Sequence, residues 1–249
     1  MNPLANAGVA WLAAALLDLA AQPGWDYLRA WALTWPGRPG AWRAALCRAP
    51  HARWLAAGGW LVYCLGIPYA ALLLGLADTR SLGLGGLVWW PRFPLGATVG
   101  LVGVGALAGL WGRLGLVSYR RAARRRILLQ EWRALRVPWG WVPALLQALC
   151  LEASWAFARG GAVRALGLYP GVFAGLLATL TAWLARPSRR ARLADAEARS
   201  SELLVAALMV LSALVFLYAE NLWLCLAIHA LGRLAATLAA GRAFARATL

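Results

Sequence analysis

The chain has 249 residues, 62% of them hydrophobic and only 14% charged, with a mean hydropathy of +0.63; this balance excludes an ordinary water-soluble domain and points to a polytopic membrane protein. The formal net charge is +16, and all 25 basic residues are Arg. Those arginines fall between hydrophobic stretches, where the positive-inside rule and anionic lipid headgroups account for them, so nucleic acid is not an expected partner.

Crossing the hydrocarbon core takes about 20 apolar residues at 1.5 Å of rise each. Seven stretches approach that length. The first, residues 4–21, is interrupted by Asn6 and Asp18 and lacks the basic lead of a signal peptide. It is expected to stay in the mature protein, either crossing the bilayer or lying in its interface. A loop with Arg29, Arg38, Arg43, Arg48 and Arg53 follows, so residues 1–53 read as a hydrophobic segment plus basic loop, ahead of a transmembrane domain over residues 54–249. The second stretch, residues 54–77, leads into a short polar loop beginning at Asp78. The third, residues 95–112, carries Gly96-x-x-x-Gly100 and Gly105-x-x-x-Gly109, small-residue spacings that let helices approach closely.

After the third stretch come Arg113, Arg120, Arg121, Arg124, Arg125, Arg126, Arg133 and Arg136. Within this loop, residues 119–135 read as a basic amphipathic helix presenting Ile127, Leu128, Trp132 and Leu135 to the membrane surface. The fourth and fifth stretches are residues 139–158 and 166–185, the latter followed by Arg186, Arg189, Arg190, Arg192 and Arg199. The sixth and seventh, residues 203–219 and 221–240, are separated by Glu220 alone, a junction tight enough that one of them is expected to tilt or re-enter.

Alternate loops are therefore basic, and only Arg80, Arg92, Arg159 and Arg164 fall on the other side. This asymmetry predicts a multi-pass protein of a bacterial inner (cytoplasmic) membrane, with the N-terminus outside, the tail with Arg242 and Arg246 inside, and anionic headgroups meeting the Arg-rich loops. If the first stretch does not cross, the N-terminus moves inside. Trp89, Trp90, Trp139, Trp141 and Trp223 lie near span ends, as an interfacial belt requires. Cys47, Cys64, Cys150 and Cys225 show no paired spacing and read as buried thiols. The exclusive use of Arg over Lys reads as the compositional bias of a high-GC or thermophilic bacterium. The predicted fold is an all-α bundle of about seven membrane helices.

Ionisable side chains inside such stretches are costly and persist with a partner, a wet cavity or a function. Glu152 lies in the fourth stretch with Arg159 seven residues on, near two helical turns, so the two share a face and Arg159 can approach the interface. His229 and Arg233 share a face of the seventh. An internal ion pair and a polar bridge between helices are the alternatives to a catalytic role.

The order Glu152-Ala-Ser-Trp-Ala-Phe-Ala-Arg159-Gly160, then Leu168-Tyr-Pro-Gly, then Asn221-Leu-Trp-Leu-Cys-Leu-Ala-Ile-His229-Ala-Leu resembles the CAAX-processing and bacteriocin-processing intramembrane protease family. The segment from Asp78 to Leu84 is similar to a polar loop that often precedes that family's core. The resemblance implies Glu152 and His229 as catalytic residues, a Glu activating water and a His supporting an oxyanion, with Arg159, Asn221, Arg233 and Ser154 in support. Its implied substrate is a membrane peptide, cut within or beside the bilayer.

The chain departs from the family pattern of Glu-Glu-x-x-x-Arg, Phe-x-x-x-His and His-x-x-x-Asn. Ser154 and Trp155 occupy the paired-Glu positions, the fifth stretch has no His, and Arg233 stands where Asn belongs. These departures imply either a weak endopeptidase or a catalytically impaired homologue that binds membrane peptides. Neither metal nor cofactor is expected, since the spans hold one His and no His-Glu-x-x-His pattern. The rival from another class is a small transporter or channel with a polar pathway lined by Glu152, Arg159 and His229.

Overall fold

The computed structural model describes residues 8–22, 50–85, 91–120, 128–195 and 198–247. Among these residues the regular structure is helical throughout, without strands. In chain order the helices are α1 (Gly8–Gln22), α2 (Pro50–Leu73), α3 (Phe93–Arg120), α4 (Leu129–Leu135), α5 (Trp141–Leu166), α6 (Leu168–Ala185), α7 (Pro187–Ala194), α8 (Arg199–Ala219) and α9 (Leu222–Ala247). Five of them, α3, α5, α6, α8 and α9, hold a segment long and apolar enough to cross a membrane. The chain is thus an all-α membrane protein. Two shorter apolar helices, Gly8–Gln22 and Gly58–Leu73, fall where the first and second hydrophobic stretches lie.

In a bilayer, apolar side chains gain little by leaving lipid for the protein interior, so helix association rests on close packing and polar contacts. The chain supplies small residues for this. A Cβ on Gly100 of α3 would stand 2.6 Å from the Ile228 side chain of α9, and one on Gly96 would stand 2.6 Å from the Ala219 Cβ at the end of α8. The second glycine pair behaves otherwise: Gly105 and Gly109 have nothing within 4 Å of that position. They face outward, and the expectation that both pairs serve packing holds only for the first.

Helices α5 and α6 form a tight antiparallel hairpin turned at Gly167, whose φ of 86° is open to glycine and strained for other residues. Within it, a Cβ on Gly175 would approach the Arg159 Cα to 2.7 Å, so the α6 backbone lies directly on the turn that carries Arg159. Helix α1 runs antiparallel to α5 on another face. Gly8 meets Arg164, and the Trp11 ring covers Gly160 and Gly161 and tilts on Phe157 at 6.1 Å between centroids. Helix α8 is central, with Leu204, Leu208, Leu211, Val215 and Phe216 all buried.

Three local expectations are corrected. The α8–α9 junction requires neither tilt nor re-entry: Glu220 takes a left-handed backbone (φ 48°, ψ 36°) that reverses the chain in one residue, and Asn221 caps α9 by accepting the Leu224 N–H at 2.9 Å. Residues 119–135 are not one amphipathic helix. Helix α3 continues to Arg120, residues 121–127, including Ile127, lie outside the described residues, and Leu128 enters α4 with a left-handed φ of 53° and is buried against the core. Arg159 does not turn outward to the surface; it points into the bundle and is buried, only 3% exposed.

Cys64, Cys150 and Cys225 are buried free thiols; Cys47, Trp89 and Trp90 fall outside the described residues. Trp139, Trp141 and Trp223 are exposed near helix ends, the geometry of an interfacial belt.

Candidate functional site

Helix α5 delivers Glu152 and helix α9 delivers His229 to one point in the bundle interior, where each is 1% exposed. The Glu152 Oε1 and His229 Nδ1 are 2.8 Å apart. The other carboxylate oxygen, Oε2, accepts the hydroxyl of Ser212 from α8 at 2.6 Å. Three helices are therefore tied through a single carboxylate, and both of its oxygens are engaged. An ionised carboxylate can only accept, so with Glu152 ionised the imidazole proton sits on Nδ1.

Two aromatic faces fix the groups around this carboxylate. The Trp155 indole, one helical turn from Glu152 on α5, stacks on the His229 ring at 5.2 Å between centroids and 16° between planes. Arg159, two turns along, lays its guanidinium carbon 3.9 Å from the centre of the Phe216 ring, a cation–π contact that gains strength where water is excluded. One Arg159 terminal nitrogen reaches the Ser212 hydroxyl at 3.5 Å. Ser212 thus stands between the two charges, donating to Glu152 and accepting from Arg159. Its carbonyl in turn accepts the Cys225 thiol at 3.5 Å. Three nitrogens in the cluster, the Arg159 Nε and Nη2 and the His229 Nε2, are buried without a hydrogen-bond partner among the described residues.

The remaining residues singled out from sequence fall elsewhere. The Ser154 hydroxyl accepts a hydrogen bond from the Gln22 amide of α1 at 3.3 Å, on a different side of α5 from Glu152. Asn221 is the α9 cap and holds the start of that helix. Arg233 lies one turn beyond His229 and lines a separate cavity of about 640 Å³, together with Glu131, Arg189, Arg192 and Glu202. Glu152 and His229 are absent from that cavity's walls.

Sequence reasoning found Glu152, His229 and Arg159 but missed Ser212, Trp155, Phe216 and Glu202. Glu202, near the start of α8, is 1% exposed. It accepts the Arg189 guanidinium at 2.8 and 2.7 Å, one bond to each oxygen, and Arg192 Nε at 2.6 Å, both from the surface helix α7. Burial pushes the Arg189 guanidinium below its ordinary pKa, and the Glu202 charge works against that shift. The signal for this cluster was an acidic residue opening an apolar helix thirteen positions after an Arg run, a pattern that also suits a solvated helix start.

At the opposite end of the bundle, Asp78 pairs with Arg164 and accepts both the backbone N–H (2.7 Å) and the hydroxyl (2.9 Å) of Ser81. Burial alone would raise its carboxyl; the Ser81 hydrogen bonds and Arg164 outweigh burial and hold it below the usual value. Among the described residues no group of three or more His, Cys, Asp or Glu is placed to hold a metal ion.

No family model, no curated protein and no solved structure matches the chain.

Proposed function

We propose that the chain is a divergent, catalytically impaired homologue of the CAAX-processing and bacteriocin-processing intramembrane proteases, one that binds membrane peptides rather than cutting them efficiently. The observation that carries this reading is the engagement of both Glu152 oxygens, one by His229 and one by Ser212, inside a sealed cluster. A general base must be within hydrogen-bonding reach of the proton it takes. Each oxygen keeps a second lone pair, but a carboxylate only 1% exposed is closed to the water it would have to activate. The meeting of Glu152 and His229 across α5 and α9 supports the kinship, because these are the residues that the resemblance assigns to the two catalytic roles.

The same reading has seven spans, with α1 and α2 completing the five longer helices, the N-terminus outside, and the Arg-rich loops facing the cytoplasm and its anionic headgroups in a bacterial inner membrane. The test is a pair of substitutions, Glu152→Gln and His229→Ala, measured by melting temperature in detergent beside cleavage of a membrane-peptide library. The wild type is expected to show little or no cleavage. Each variant is expected to lose stability, by as much as roughly 3–5 kcal/mol, because it leaves a buried charge or carboxylate uncompensated. Robust wild-type cleavage abolished by both substitutions without loss of stability would establish an active endopeptidase instead.

A second reading is a small transporter or channel, in which the Arg159 and His229 nitrogens that lack a partner among the described residues are uncovered when the bundle opens. Ion or solute flux into liposomes that is lost with Arg159→Gln would favour it.

A further inference from the structure

We infer that the cavity enclosed by α4, α5, α7, α8 and α9 is a binding site for the phosphate headgroup of an anionic membrane lipid, with Arg233 as its principal ligand. This inference stands apart from the reading of Glu152 and His229, which do not line the cavity. Its volume, about 640 Å³, suits a headgroup with the upper part of its acyl chains.

The charged wall holds three guanidiniums against two carboxylates: Arg189, Arg192 and Arg233 facing Glu131 and Glu202. They are not evenly matched. Glu202 is saturated by Arg189 and Arg192, which approach it at 2.6–2.8 Å. Among the described residues Arg233 forms no ion pair, although Glu131 and Glu202 attract it from a distance; its Nη1 is packed inside the protein without an acceptor, while the side chain lines the cavity. A guanidinium lining a cavity without a carboxylate of its own calls for an anion, and a planar fork of N–H donors is what a phosphate accepts best.

The rest of the lining is largely apolar and reaches the protein surface. Val137, Leu145, Leu231 and Leu234 line the cavity and are also 60%, 41%, 46% and 42% exposed, so they continue onto the surface that meets acyl chains. Exposed Trp139 and Trp141 at the start of α5 mark the headgroup level. A charged wall and a lipid-facing apolar wall at headgroup depth, on the basic end of the bundle, fit an amphiphile with one phosphate rather than a free anion, which would use only the first wall.

The experiment uses the full chain purified in a neutral detergent. Native mass spectrometry counts retained lipid after addition of phosphatidylglycerol or phosphatidylcholine, with and without millimolar inorganic phosphate. The expected result is selective retention of phosphatidylglycerol, weakened about tenfold by Arg233→Gln and partly restored by Arg233→Lys, which keeps the charge and loses the fork. Ala144→Trp, which puts bulk into the cavity while leaving Arg233 in place, is expected to weaken lipid retention too. It decides the matter if Arg233→Gln fails to fold. Equal retention of phosphatidylcholine, complete displacement by inorganic phosphate, or undiminished retention by Ala144→Trp would each overturn the proposal.

Discussion

Glu152 offers two oxygens to the bundle, and their two partners differ in how visible they are from sequence. His229 stands out because an imidazole in an apolar stretch needs an explanation. Ser212 does not, since a serine in a membrane helix readily satisfies itself on its own backbone and carries no charge to betray it. Yet Ser212 makes the shorter contact, 2.6 Å against 2.8 Å, and its hydroxyl meets both Glu152 and Arg159. Ser212→Ala is therefore expected to lower stability by about 1–2 kcal/mol, read as a drop in melting temperature in detergent. Ser154→Ala, whose hydroxyl accepts from the Gln22 amide at 3.3 Å, should cost less. Because Ser212 and His229 share one carboxylate, Ser212→Ala and His229→Ala should be non-additive when combined. Additive losses would mean that the two bonds do not form a unit. Arg233 and Asn221 show why spacing along a helix is weaker information than contact: one reaches a different cavity and the other caps a helix, although both lie within two turns or so of His229 on the same segment.

Helix positions were legible because hydropathy over about 20 residues is a length measurement, and the five long helices lie on five of the stretches it picks out. Helix orientation was not. In a soluble protein the polar face identifies the outside, but a membrane helix is apolar all round, so nothing in Gly96, Gly100, Gly105 and Gly109 says which pair meets a neighbour. Contacts separate them: Gly96 and Gly100 lie against the α8 end and α9, while Gly105 and Gly109 face open space. Gly100→Leu should cost about 1–3 kcal/mol by overpacking. Gly105→Leu should be neutral or slightly stabilising, since leucine is the better helix former. Comparable melting temperatures for the two variants would contradict the packing of α3 described above. The α8–α9 junction was misjudged for a related reason. One residue in a left-handed conformation reverses the chain as effectively as a longer loop, and hydropathy contains no backbone angles.

For the molecule as a whole, the alternation of basic and non-basic loops corresponds to two distinct ends of the bundle. One end gathers α4, the start of α5, α7 and the start of α8 around the Glu202 ion pairs. The other gathers the Asp78 loop, the end of α5 through Arg164, and the α8–α9 junction, where the Leu222 N–H donates to the Gly83 carbonyl at 3.0 Å. Successive long helices therefore run in opposite directions between the same two ends, as repeated crossing demands. Three exposed positions test it in a chain whose four natural cysteines are replaced by Ala: Pro138→Cys and Ala191→Cys at the basic end, and Thr79→Cys at the other. With a membrane-impermeant thiol reagent added to intact cells, only Thr79→Cys should be labelled; the other two should react after the membrane is opened, because Arg-rich segments are retained in the cytoplasm. Labelling of all three from one side would mean that the ends of the bundle do not lie across a bilayer. Opposite labelling of Pro138→Cys and Ala191→Cys would remove α5 and α6 as a paired crossing. With it would go the proposed placement of Glu152 at membrane depth, on which the proposed protease kinship depends.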